Sequence, residues 1–173
     1  MANDATVLET SKGLSGLLKM FKSTMTSAGM KYNSKIVFVG CAGTCVPFIE
    51  LFAYTIRQTE TNQLRSGMVL VPDGVLDNAR SLWYVDEIGM QVGGVADPQG
   101  ADYVVLLGGI SMPGSKMSID NTNEVLKNIL KPDGKVIGVC FMDMFAKAGW
   151  YGKVRFDLVI DATIDTVSLK KIE

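Results

Sequence analysis

The feature that most constrains this chain is a recurring alternation. Short β-branched or aromatic runs stop at glycine or a turn, and apolar residues at helical spacing follow them. The runs are KIVFVG (Lys35–Gly40), MVLV (Met68–Val71), YVVLL (Tyr103–Leu107), KVIGVCF (Lys135–Phe141) and FDLVI (Phe156–Ile160). They are apolar at nearly every position, the pattern of strands buried on both faces. Helical spacing links Leu14, Leu17, Leu18, Phe21 and Met25, with Gly29 as the stop. It predicts further helices from Thr44 to about Thr59, through Val75, Leu76, Ala79, Leu82 and Trp83, from Asn121 or Thr122 to Leu130, and over Asp143–Ala148. Such βαβ units demand a parallel sheet with helices on both sides. The expected fold is therefore α/β: a doubly wound, mostly parallel sheet of about five strands, Rossmann-like or flavodoxin-like, in three α/β/α layers. Residues 1–10 read as a tail and 11–173 as a single domain. Residues 86–100, with four glycines and a proline, read as irregular with one short strand at Met90–Val92.

The helix at Val46–Ile56 is apolar nearly all round, since Glu50 is its one charged residue. A helix on the face of a small sheet normally keeps a polar outer side. Either the N-terminal helix packs across it or it forms a subunit interface, and the homodimer is slightly favoured.

Composition excludes whole classes of function. A chain of 173 residues, 47% hydrophobic and 20% charged, fits one globular domain. A net charge of -1 with scattered lysines and arginines gives no pull toward nucleic acid or an anionic membrane. No stretch approaches the roughly 20 apolar residues that span a bilayer. The opening MANDATVLETSKG lacks the pattern of a secretion signal. Three cysteines, an odd number, argue against a disulfide framework and for a reducing cytoplasm. The chain has no histidine, which removes the commonest general base, the commonest zinc ligand and every Ser-His or Cys-His dyad. Whether it is an enzyme stays open.

In open parallel sheets ligands bind beyond the carboxyl ends of the strands. The first such end is Gly40-Cys41-Ala42-Gly43-Thr44-Cys45. Two glycines permit tight or left-handed backbone there, and the loop feeds a helix N-terminus that favours an anion. A phosphate-bearing small molecule, such as a nucleotide or a flavin-like ligand, suits this position, with Thr44 adding a hydroxyl. The loop is neither a Walker A motif nor G-x-G-x-x-G, and the plainer reading is a simple strand-to-helix turn. Asp73 closes the second strand, where dinucleotide-binding folds place an acid on the ribose, but P-D-G is also ordinary turn chemistry. Gly109 and Ser111, after the third run, complete the candidate ligand site.

All three cysteines map to this same edge. Cys45 falls at the start of a helix, where the dipole lowers a thiol's pKa. Cys41 lies in the same loop, and Cys140 lies near the end of the fourth run. Three readings compete: a thiolate metal or iron–sulfur site of Cys41, Cys45 and Cys140; a nucleophile or redox pair; or small buried hydrophobes.

Two runs, KIVFVGCAGTCVPFIELFAYTIR (Lys35–Arg57) and VIGVCFMDMFAKAGW (Val136–Trp150), with VVLLGGISMP (Val104–Pro113) between them, resemble an uncharacterised family of small archaeal proteins, found largely in methanogens, the domain of unknown function 2124. The resemblance brings no catalytic residue with it. It implies an anaerobic archaeal cytoplasm, where a reduced thiol cluster or iron–sulfur chemistry is easier to sustain. The expectations are thus a phosphate-bearing ligand at the first loop, a thiolate metal or redox site, or a non-catalytic dimeric interaction module.

Overall fold

The computed structural model describes residues 5–58, 61–164 and 166–172. The expected end of the second helix at Thr59 and the first residues of the expected tail lie outside them. In chain order the elements are α1 (Gly13–Ser27), β1 (Ile36–Gly40), α2 (Val46–Thr55), β2 (Met68–Pro72), β3 (Arg80–Val85), β4 (Gly89–Val95), β5 (Ala101–Leu107), α3 (Ile119–Ile129), β6 (Leu130–Phe141), α4 (Met144–Lys147) and β7 (Leu158–Ala162). One sheet holds seven strands in the order β4-β3-β2-β1-β5-β6-β7. β2, β1, β5, β6 and β7 pair in parallel, whereas β3 runs antiparallel to both β2 and β4.

The buried strands divide their side chains between two cores by simple alternation. Ile36 and Phe38 of β1, with Met68, Leu70, Val105 and Leu107, face α1 and α2. Val37, Val39, Val69, Val71, Val104 and Leu106 face the other way, toward Val125, Leu126 and Ile129 of α3 and Phe145 of α4. The sheet is thus covered by helices on both sides. The face of α2 that the sequence left to be covered meets α1: Phe21 and Phe52, both fully buried, meet in a tilted contact with ring centroids 4.8 Å apart. Leu51 and Tyr54 of α2 remain exposed.

One predicted helix is absent. The spacing of Val75, Leu76, Ala79, Leu82 and Trp83 gives way to a short 3-10 turn at Leu76–Asn78 and then to β3. The run RSLWYV is rich in residues that fit a pleated surface, and its alternation wins. Ala79 enters the α3 core, Leu82 enters the α2 core, and Trp83 stays exposed. β3 turns into β4 through Glu87 and Gly89, both at positive φ, so the expected short strand at Met90–Val92 lies within β4, the second strand of a hairpin. This hairpin raises the strand count from about five to seven and makes one flank of the sheet antiparallel. α3 begins earlier than expected because Ser118, not Asn121 or Thr122, caps it: its hydroxyl accepts from the Asn121 N–H.

Among the described residues, no helix is long and apolar enough to cross a membrane.

Candidate functional site

β1 and β5 are neighbours, yet the chain leaves them in opposite directions. From β1 it runs through α2 to β2 on one side, and from β5 through α3 to β6 on the other. The loops 41–45 and 108–118 therefore meet over the carboxyl ends of the two central strands.

The meeting is close because three strand-end positions lack a β-carbon. A β-carbon on Gly40 would stand 2.7 Å from Cβ of Cys45 and 2.9 Å from Cδ1 of Ile49. One on Gly109 would stand 2.5 Å from Sγ of Cys45 and 2.6 Å from Sγ of Cys41, so both sulfurs border the same point over that glycine. One on Gly108 would stand 2.4 Å from Cβ of Cys140. Real side chains do not approach so closely, so only glycine lets the loops seat the three cysteines.

The thiols differ in surroundings. Cys41 is half-buried, and its sulfur lies 3.0 Å from Oγ1 of exposed Thr44. Cys45 is buried and forms the N-cap of α2. Its helix-start position predicts a lowered pKa, but the opposite holds. Burial, with the Cys41 thiol beside it, pushes Cys45 up to about 12, and the N–H groups of Cys41 and Gly109 offset only part of that. Cys140 is also pushed up to about 12, first by burial and further by the Asp161 carboxylate, whose Oδ1 accepts from Sγ at 3.2 Å.

The structure does not bring Cys140 to the other two. Cys45 belongs to the core beneath α1 and α2, Cys140 to the core beneath α3 and α4, and the Gly108-Gly109 backbone runs between them. Among the described residues, no three Cys, Asp or Glu side chains gather in a group that could hold a metal ion.

Asp73 sits at the end of β2 with φ 51, a left-handed conformation that aspartate tolerates. Its Oδ1 accepts from the Ala42 N–H at 3.0 Å, and its Oδ2 pairs with Nζ of Lys116 at 3.1 Å. The Ala42 N–H, helped by Lys116, holds this carboxyl below the usual range. Asp73 therefore braces the first loop, and it also lines a groove of about 350 Å³ with Lys116, Met117 and Asn121. Ser111 closes its own turn by donating to the Gly108 carbonyl at 2.8 Å. Gly43, at φ 82, has open space where a β-carbon would stand. Of the predicted residues, Gly40, Cys41, Cys45 and Gly109 come together, Thr44 bonds Cys41, Asp73 joins through Ala42, and Ser111 bonds only the neighbouring Gly108 carbonyl. Sequence reasoning missed Lys116, which lies in an unpatterned loop.

Beyond these loops, Met142 and Asp143 are both left-handed, at φ 52 and φ 58, where β6 enters α4. The Asp143 N–H donates to Oδ1 of Asp161 at 2.9 Å, which ties this corner to β7.

Residues 12–165 match the family described as uncharacterised protein conserved in archaea, DUF2124. This chain belongs to that family. An uncharacterised protein of Methanothermobacter thermautotrophicus is 36% identical over 159 residues, covering 92% of this chain and 95% of its own. An uncharacterised protein of Methanocaldococcus jannaschii is 37% identical over 158 residues, with 91% and 90% covered. A crystal structure of a protein of unknown function from Methanothermobacter thermautotrophicus superposes with a TM-score of 0.84 at 33% identity, covering 98% of this chain and 100% of that one. The DUF2124 fold thus extends over nearly the whole chain.

Proposed function

We propose that this DUF2124 protein is a small-molecule binding domain that holds a phosphate-bearing ligand, of nucleotide or flavin-like type, over the loop 41–45. The observation that carries this reading is the adjacency of β1 and β5 with connections that diverge on either side. A crevice outside the strand ends at such a switch point is where open α/β sheets bind ligands. Its parallel strands, taken alone, follow the order β2-β1-β5-β6-β7, which is the flavodoxin-like order. Three local features support an anionic group there. α2 begins at the loop, and a helix N-terminus favours an anion. Gly43 is exposed and unobstructed, so a ligand can approach its backbone. The charge of Asp73 is matched by Lys116. The unpaired cysteines support a reducing compartment such as the cytoplasm.

Native and denaturing mass spectra of protein purified without oxygen test the reading, together with thermal melts in inorganic phosphate and a nucleotide panel. The expected result is a mass lost on denaturation, or a ligand-dependent rise in Tm, abolished by Gly43→Val. Binding at about 100 times Kd adds roughly 2.7 kcal/mol, well within the range of a melt. An apo spectrum and melts indifferent to every phosphate compound at millimolar concentration would reject it.

A further inference from the structure

We infer that Cys41 and Cys45 form a redox-active dithiol that exchanges with low-molecular-weight disulfides at the carboxyl edge of β1. The inference is independent of the anion site, since it needs only the two sulfurs and access to one of them.

Three observations carry it. First, both sulfurs border the one space that a β-carbon on Gly109 would fill, Cys45 at 2.5 Å and Cys41 at 2.6 Å from it, which brings them within reach of each other. Second, their exposures are unequal in the useful sense. Cys41 is half-buried and reachable beside exposed Ala42, Gly43 and Thr44, while Cys45 is buried behind it. An accessible attacking thiol with a shielded partner is the arrangement that completes exchange within the protein rather than leaving a mixed disulfide. Third, the Thr44 hydroxyl lies 3.0 Å from the Cys41 sulfur, where it can donate to that sulfur once Cys41 has lost its proton.

The exchange balances without any further reagent. Cys41 releases its proton to solvent, and its thiolate attacks one sulfur of the small disulfide. A Cys41–S–S–R bond forms, and the first RS⁻ leaves and takes up a proton. Cys45 then loses its proton and attacks the Cys41 sulfur, so the Cys41–SR bond breaks and the second RS⁻ leaves as RSH. The two protein thiols are oxidised to one disulfide, and the small disulfide is reduced to two thiols. Cys140, on the other face of the sheet and bonded to Asp161, takes no part.

The test is to expose reduced protein to 2-hydroxyethyl disulfide, quench with an alkylating agent in denaturant, and read intact mass and peptide maps. The expected result is loss of two alkylatable thiols, a linkage between Cys41 and Cys45, and alkylation of Cys140 alone. Cys45→Ser should hold the mercaptoethanol adduct on Cys41. Cys41→Ser should keep both of its remaining thiols free while folded, and Cys140→Ser should behave like the parent. Three alkylated thiols in the treated parent would overturn the inference, as would an adduct that persists there on Cys41 or on Cys140. Because the parent reading involves no substitution, a variant that fails to fold does not cloud it. A negative result leaves phosphate binding untouched, and a protein indifferent to phosphate can still exchange.

Discussion

A β-carbon on Gly109 would stand 2.5 Å from the sulfur of Cys45, so the first loop and the loop after β5 fit together only because this residue is glycine. Gly109→Ala must therefore displace the buried Cys45 thiol or open the two loops. Overpacking of this kind costs about 1–3 kcal/mol. Urea melts should register that loss, and pairing the change with Cys45→Ala should recover part of it. Losses that add without coupling would mean that the two positions do not press on each other.

Asp73 gives a second test, because one of its oxygens holds the first loop through the Ala42 N–H and the other pairs with Lys116 of the loop after β5. Asp73→Ala removes the acceptor for the Ala42 N–H and a side chain suited to a left-handed φ, and should destabilise by about 1–3 kcal/mol at neutral pH. Asp73→Asn keeps both and loses only the pair with exposed Lys116, so its loss should stay below about 1 kcal/mol. A depressed folded-state pKa gives stability that is present above the unfolded value and lost as pH falls through the folded one. The parent should thus lose its advantage over the asparagine variant as pH drops below about 4, read from denaturant midpoints.

The difference between what was legible and what was not follows from periodicity. β1, β2, β5 and β6 were readable because both faces are buried, so their runs are unbroken and end at turn residues. β3 is ambiguous in sequence because the spacing of Ala79, Leu82 and Trp83 satisfies a helical period while the same residues alternate along a strand; only pairing with β2 decides between them. The site was legible where it is local. Gly40 to Cys45 is one continuous strand end, whereas the pair between Lys116 and Asp73 bridges 43 residues between loops that share no pattern. The separation of Cys140 from Cys45 was half visible. Alternation from Ile137 and Val139 puts Cys140 on the opposite face of β6, but which face α2 covers is a property of the topology.

The two buried cysteines predict an alkaline limit. Burial raises Cys45 from its ordinary 9.0 to about 12, and Cys140 likewise. A raised folded-state pKa gives stability that is complete below the unfolded value and lost as pH rises toward the folded one. Unfolding free energy should therefore fall between about pH 9 and 12, by up to several kcal/mol for the two thiols together. Lysines and tyrosines titrate in the same window, so the measurement is the difference between the parent and Cys140→Ala. That difference should shrink as pH rises. A constant difference from pH 8 upward would show that Cys140 ionises in the folded protein as easily as in the unfolded chain.

The contact between Phe21 and Phe52 predicts how much the first helix matters. Both rings are fully buried, one from α1 and one from α2, and Phe21 also faces Phe38 of β1 at 6.4 Å. Removing such a ring costs about 3–5 kcal/mol through lost burial and the cavity left behind. Phe21→Ala should show that loss in urea melts and should also uncover the apolar side of α2. If α1 is its cover within one chain, the variant should gain binding of an apolar dye or self-associate at concentrations where the parent does neither. A variant destabilised by less than about 1 kcal/mol, with no new apolar surface, would mean that α2 finds its cover elsewhere.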